Sequence, residues 1–193
     1  MTASPRLTRS EMLNLPGPAL ILTDSLTGLF PLLIRRWQRA HAQRSPNASH
    51  ADAHERGHYQ HALWSESAGS VVSQDWRCTR YRLAEYLTGH HRVKVVAGQR
   101  WSDEDRATIR KALIAAVRHG GRYNWPGILG KAIGWPGLGW PGRQYCSEFA
   151  GAVLRLVDQG FMTPHPTPSD INAYTKGLPH IYGVAGVYDP HDD

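Results

Sequence analysis

Cys146 is the residue of this chain best placed to act as a nucleophile. It stands in Gln144-Tyr145-Cys146-Ser147-Glu148-Phe149, and behind it Ala150, Val153, Leu154, Leu156 and Val157 fall at helical spacing up to a stop at Gly160. The stretch from Trp135 to Gly142 is rich in Gly and Pro and does not read as helix. The thiol is therefore expected in the first turn of a helix over 146–158, facing unpaired backbone N–H groups and the positive end of the helix dipole. Such a setting lowers a cysteine pKa from about 8.5 toward roughly 3.5–7.5. A buried core cysteine is the plainer alternative, since free cysteine is among the most buried residue types.

A thiol nucleophile needs a base within hydrogen-bond reach and a group that orients the base. Ser49-His50-Ala51-Asp52 follows a polar loop over 43–47, and Tyr59-Gln60-His61-Ala62-Leu63-Trp64 reads as a strand running into Ser65-Glu66. Cys146, His50 and Glu66 form the expected catalytic set, with Ser65 and His61 as alternatives to Glu66. The chemistry would be acyl transfer through a thioester. The backbone N–H of Cys146 is the expected oxyanion donor, and Tyr145 or Tyr123 is placed to add a side-chain donor. Trp-Pro-Gly occurs three times, at 125–127, 135–137 and 140–142. Its tryptophans, with Trp140 nearest to Cys146, are candidates to wall a substrate cleft or to pin an irregular loop to the core.

A metal reading competes. His50, His54, His58 and His61 share a face if their segment is helical, and His50, Asp52 and His54 share one if it is extended. Zinc takes such ligands. The spacing fits neither HExxH nor paired CxxC, so no metal or cofactor is expected, and a zinc-binding or non-catalytic module stands as the alternative. A serine nucleophile is disfavoured because no Gly-x-Ser-x-Gly elbow is present.

Several segments, in this order, resemble the permuted papain-like cysteine hydrolases, the YiiX-type branch of the NlpC-like peptidase superfamily. They are Gly17-Pro18-Ala19-Leu20-Ile21-Leu22, Asn47-Ala48-Ser49-His50, Trp64-Ser65-Glu66 with Gly69 and Val71, Gly121-Arg122-Tyr123, Tyr145-Cys146-Ser147-Glu148-Phe149 and Thr167-Pro168-Ser169-Asp170. The likeness covers roughly residues 16–175, and the cysteine motif is its most specific part. In that branch the histidine strand precedes the cysteine helix, as His50 precedes Cys146 here. The chain departs from the pattern at Pro18, where the family has an acidic residue, and at Ala51-Asp52-Ala53-His54, where it has small and aliphatic ones. The resemblance implies an α+β papain-like fold in circularly permuted order, an antiparallel sheet packed against helices. It also implies an amide or ester substrate, most often a cell-wall peptide (peptidoglycan), with lipid amides or esters elsewhere in the superfamily.

The elements that must position these residues read as follows. Residues 18–23 form a buried strand, 29–42 a helix entered through Pro31, 59–65 and 70–74 strands, 92–96 a strand, and 181–188 a closing strand. The clearest helix runs from Asp103 to His119, with Ser102 as N-cap, acids in its first turn and Gly120-Gly121 as its stop. Residues 75–87 are ambiguous, with a short helix near 82–87. The expected organisation is a loose arm over 1–15, one domain over 16–188 and a loose tail over 189–193.

Two cysteines, Cys78 and Cys146, make no disulfide framework. The first residues hold no apolar run of signal-peptide length, and the most apolar stretch, 26–34, is too short and interrupted to span a membrane. Synthesis as a cytoplasmic protein is expected, with export by a signal-less route left open. A net charge of +6 and a pI near 9.6 favour anionic partners. No nucleic-acid-binding signature accompanies that charge, and no nucleic-acid partner is expected.

Overall fold

Ala19-Leu20-Ile21-Leu22 shows no alternation of apolar and polar residues, which is the signature of a strand covered on both faces. The computed structural model, which describes residues 6–24, 59–87, 92–133, 135, 138–179 and 181–188, places it at the centre of a six-stranded sheet. The strands are β1 (Ala19–Asp24), β2 (His61–Ser67), β3 (Ser70–Gln74), β4 (Cys78–Arg82), β5 (Arg92–Gly98) and β6 (Tyr182–Tyr188). They lie in the order β4-β3-β2-β1-β5-β6, and every pairing is antiparallel. The helices are α1 (Arg9–Leu13), α2 (Leu83–Tyr86), α3 (Asp103–His119), α4 (Trp125–Ile133), α5 (Cys146–Arg155) and α6 (Pro168–Gly177). The fold is thus α+β, an open antiparallel sheet packed against helices.

On one face of the sheet Leu20, Leu22, Trp64 and Val96 meet Ile109 and Leu113 of α3, Phe149, Ala150 and Val153 of α5, and Ile171 of α6. On the other, Ile21, Leu63, Val71, Val93 and Val95 meet Met12 of α1 and Leu83 of α2. All six positions of β1 are buried, which explains its unbroken apolar run. Helix α3 has the expected bounds: Ser102 and Asp105 close a capping box, and Gly120 ends the helix in the left-handed region at φ 59°.

The structure departs from the sequence reading at four places. Residues 9–13, expected in a loose arm, form a helical turn capped by Thr8 and Glu11, with Met12 fully buried. Cys78–Arg82 is an edge strand whose exposed residues are Arg80 and Arg82, so it carries little apolar signal. The first Trp-Pro-Gly starts helix α4 rather than lying in loop: Asn124 accepts from the Gly127 N–H at 3.2 Å as a cap, and Pro126 is tolerated in the first turn. Thr167-Pro168-Ser169-Asp170, to which the sequence assigned no element, is a capping box that opens helix α6. The expected helix over 29–42, the histidine strand within 43–58 and the tail over 189–193 lie outside the described residues. Among the described residues no helix is long and apolar enough to cross a membrane.

Helix α5 is fastened to β2 by Trp64, whose fully buried indole donates to the Ala150 carbonyl at 3.2 Å. Gly151 lets the helix approach its other neighbours, because a Cβ there would lie 2.8 Å from Pro166 and 2.9 Å from Phe161. Trp64→Ala should cost about 3–5 kcal/mol through the cavity it leaves. Urea unfolding read by far-UV circular dichroism checks this, and a loss below about 1 kcal/mol would mean the joint is not as tight as described.

Candidate active site

Cys146 is the first residue of α5, directly behind Tyr145, whose backbone is extended (φ −95°, ψ 171°). Glu148 stabilises this start by accepting from the Tyr145 N–H through Oε2 at 3.2 Å. The returning chain ties down both ends of this helix. Ser147 Oγ donates to the Pro166 carbonyl at 2.7 Å, Glu148 Oε1 pairs with His165 Nδ1 at 2.6 Å, and Arg155 Nη1 donates to the Thr163 carbonyl at 2.9 Å. Cys146 is only 3% exposed and packs with Tyr123 and Tyr145.

The histidine beside the thiol is His61, the first residue of β2. Its Nε2 lies 2.7 Å from Ser73 Oγ and 3.3 Å from Asp75 Oδ1. Ser73 Oγ in turn donates to Asp75 Oδ1 at 3.0 Å, so the hydroxyl stands between imidazole and carboxylate as well as beside them. The β2–β3 hairpin brings these groups together. Trp64 is opposite Val72, and the same antiparallel register carried three residues further sets Asp75 opposite His61. Tyr86 of α2 stacks on the imidazole, with ring centroids 6.2 Å apart, and its hydroxyl reaches Ser73 Oγ at 3.3 Å.

Tyr123 donates to Cys146 Sγ at 3.8 Å. A short backbone ribbon holds it there: the Tyr123 N–H donates to the Trp76 carbonyl at 3.1 Å, the Asn124 N–H to the Gln144 carbonyl at 3.1 Å, and the Cys78 N–H to the Gly121 carbonyl at 3.1 Å. The segments on either side of Asp75, Tyr123 and Cys146 are therefore stitched into one unit.

Burial pushes the Cys146 thiol up. The charge of His61, its hydrogen bond, the Ala62 N–H and the Tyr123 hydroxyl outweigh burial, and the net result is a thiol pKa below its ordinary value. Burial likewise disfavours a charged His61, but the Cys146 thiolate, its hydrogen bond and the Asp75 carboxylate raise the imidazole to about 9. The two shifts share one cause, since the charged form of each group favours the charged form of the other. Cys78 makes the contrast: it is also buried, lacks a histidine cause and faces the charge of Asp75, so its thiol is pushed up to about 11.

His61, named among the alternatives for the third residue, is the histidine that meets the thiol, while His50 lies outside the described residues. Glu66 is bound in a bidentate pair with Arg80, at 2.6 and 2.7 Å, and Asp75 with Ser73 stands behind the imidazole in its place. Ser65 is spent on the Ala19 N–H at 3.1 Å. Tyr123 touches the thiol, and Tyr145 is the residue before it; burial pushes both phenols up, so both remain protonated donors near neutral pH. Trp140 is half-exposed, with the Arg143 guanidinium 3.9 Å above its ring. Ser73 and Asp75 escaped the sequence reading, although the hairpin turn at Gly69, counted outward, was the signal that pairs residues 61 and 75. Among the described residues no group of three or more His, Cys, Asp or Glu is placed to hold a metal ion, and His50, His54 and His58 are not among them.

The two cysteines provide an internal control, since both are buried and only one has an imidazole partner. Between pH 7 and 8 iodoacetamide should modify Cys146 well ahead of Cys78, because thiolate forms as pH rises through a lowered pKa at one and only near 11 at the other. His61→Ala removes the cation and leaves burial in force, so Cys146 should lose that advantage. Peptide mapping of the alkylated protein across pH checks both statements, and equal rates for the two thiols would remove the pair. No family model matches the chain, and no curated protein or solved structure matches it either.

Proposed function

We propose that the protein is a thiol-dependent acyl hydrolase acting on an amide or ester, with a cell-wall peptide amide as its first candidate substrate. The observation that carries this reading is the pairing of Cys146 with His61, in which the thiol is lowered and the imidazole raised to about 9. The resemblance to permuted papain-like hydrolases adds support, because a histidine strand again precedes the cysteine helix, with His61 in the part the motif order gave to His50.

The mechanism follows from the groups present. The Cys146 thiolate attacks the substrate carbonyl carbon, a C–S bond forms, and the carbonyl electrons move to oxygen. The Cys146 N–H, at the start of α5, has no intrahelical partner and is directed at the Tyr123 hydroxyl oxygen; it and the Tyr123 O–H are the two donors beside the sulfur that would turn to that oxyanion. His61, protonated in the resting pair, gives its proton to the leaving nitrogen or oxygen as the C–N or C–O bond breaks. With Nε2 engaged by Ser73 and Asp75, Nδ1 is the nitrogen left for this transfer. Neutral His61 then takes a proton from water, the hydroxide attacks the thioester, and the acid is released as the thiol is restored. Asp75 keeps the imidazole oriented and stabilises its charge.

Turnover of muropeptides and of generic ester or thioester probes tests this. Cys146→Ala should abolish it, and His61→Ala should lower it about 10²–10⁴-fold. Asp75→Asn removes a charged hydrogen-bond partner and should cost about 10–100-fold, whereas Glu66→Gln should leave turnover unchanged. The pH profile should be bell-shaped. Activity is lost at low pH as the thiolate takes up its proton, and at high pH as His61 loses its proton near 9. Unchanged turnover in Cys146→Ala would refute the reading.

A further inference from the structure

Beside the thiol the molecule exposes an apolar shelf that the chemistry above leaves unused. Trp76 is 75% exposed and lies against Trp125, with ring centroids 5.2 Å apart. Trp125 packs on Tyr123 at 4.6 Å, and Tyr123 reaches the thiol. Leu129, four residues after Trp125 and so on the same face of α4, is 50% exposed. Trp140 is held near the start of α4 through Asn124, whose Oδ1 accepts from both the Trp140 and Gly127 N–H groups.

The charge carried by the segments of this shelf is mainly positive. From Arg106 to Ser147 the sequence contains no Asp or Glu. Arg77 and Arg122, both exposed, face each other in the ribbon that carries Trp76 and Tyr123, and Arg143 covers the ring of Trp140. Asp75, the nearest acid in the ribbon, is turned toward His61.

We propose that this shelf docks the protein on an anionic lipid bilayer, with Trp76 and Leu129 entering the apolar boundary while Arg77, Arg122 and Arg143 meet the headgroups. Indole rings suit a boundary that is apolar on one side and wet on the other, and arginines keep their charge at its edge while their stems lie along it. A soluble anionic polymer would satisfy the arginines but offers no apolar phase for Leu129. The surface runs from Trp76 through Trp125 to Tyr123, so a carbonyl presented at the lipid boundary would arrive at the thiol. The docking itself goes beyond the hydrolase reading and does not depend on it.

Flotation of the Cys146→Ala protein with phosphatidylcholine vesicles, with and without phosphatidylglycerol, tests the docking apart from catalysis. Binding to the mixed vesicles is expected. It should fall about tenfold or more in Trp76→Ser/Leu129→Ser, which removes apolar burial, and again in Arg77→Glu/Arg122→Glu. The same pairs of replacements should leave the far-UV circular dichroism spectrum and the urea midpoint unchanged, which shows that the fold survives. Absence of binding to the mixed vesicles would overturn the proposal. So would binding that heparin abolishes and the Trp76/Leu129 replacements leave untouched, because the partner would then be a soluble anionic polymer.

Discussion

A thiolate and an imidazolium buried together are stable only as a pair, and the site is organised around that constraint. Either ion alone in this position would bear the full cost of leaving water. The protein supports both halves with fixed groups: the Ala62 N–H and the Tyr123 hydroxyl on the sulfur side, Ser73 and Asp75 on the imidazole side. Cys78 shows what the same fold does to a thiol without such a partner. Burial and the charge of Asp75 push that thiol up, so it is the neighbours and not the depth that distinguish the two cysteines.

Those neighbours come from distant parts of the chain, and backbone pairing brings them together. The β2–β3 hairpin sets Asp75 across from His61. The ribbon linking residues 76–78, 121–124 and 144 then places Tyr123 and the start of α5 against that hairpin. The Trp64–Ala150 hydrogen bond fixes how far along β2 the helix sits. Hydrogen-bonded backbone is less compliant than side-chain packing, which suits a pair whose energetics depend on a close contact.

Much of this was legible in the residues because the signals were local. The run Ala19–Leu22, the caps of α3 and the apolar stripe behind Cys146 each declare their element without reference to the rest. His50 and His61 are alike by type and differ in position; only His61 falls within the described residues, and it is the histidine found beside the thiol. Glu66 looked suitable by type, but a surface arginine two strands away in sheet order holds it. Helices α4 and α6 hid behind prolines, which read as breakers when the preceding Asn124 or Thr167 is not recognised as a cap. Cys78–Arg82 was ambiguous because an edge strand needs only one buried side.

The return segment over 163–166 deserves comparison with an ordinary surface connection. Connections of that kind usually absorb insertions and deletions, since little depends on their path. Here Thr163, His165 and Pro166 each hold a residue of the cysteine helix. One residue gained or lost in this stretch would shift the anchor of the first turn and carry the sulfur with it. The turn at Gly69 is constrained for another reason: its length sets the register that places Asp75 across from His61. Variation in length should therefore be poorly tolerated at both places, with the sequence between α5 and α6 constrained like a core element although it lies in a loop.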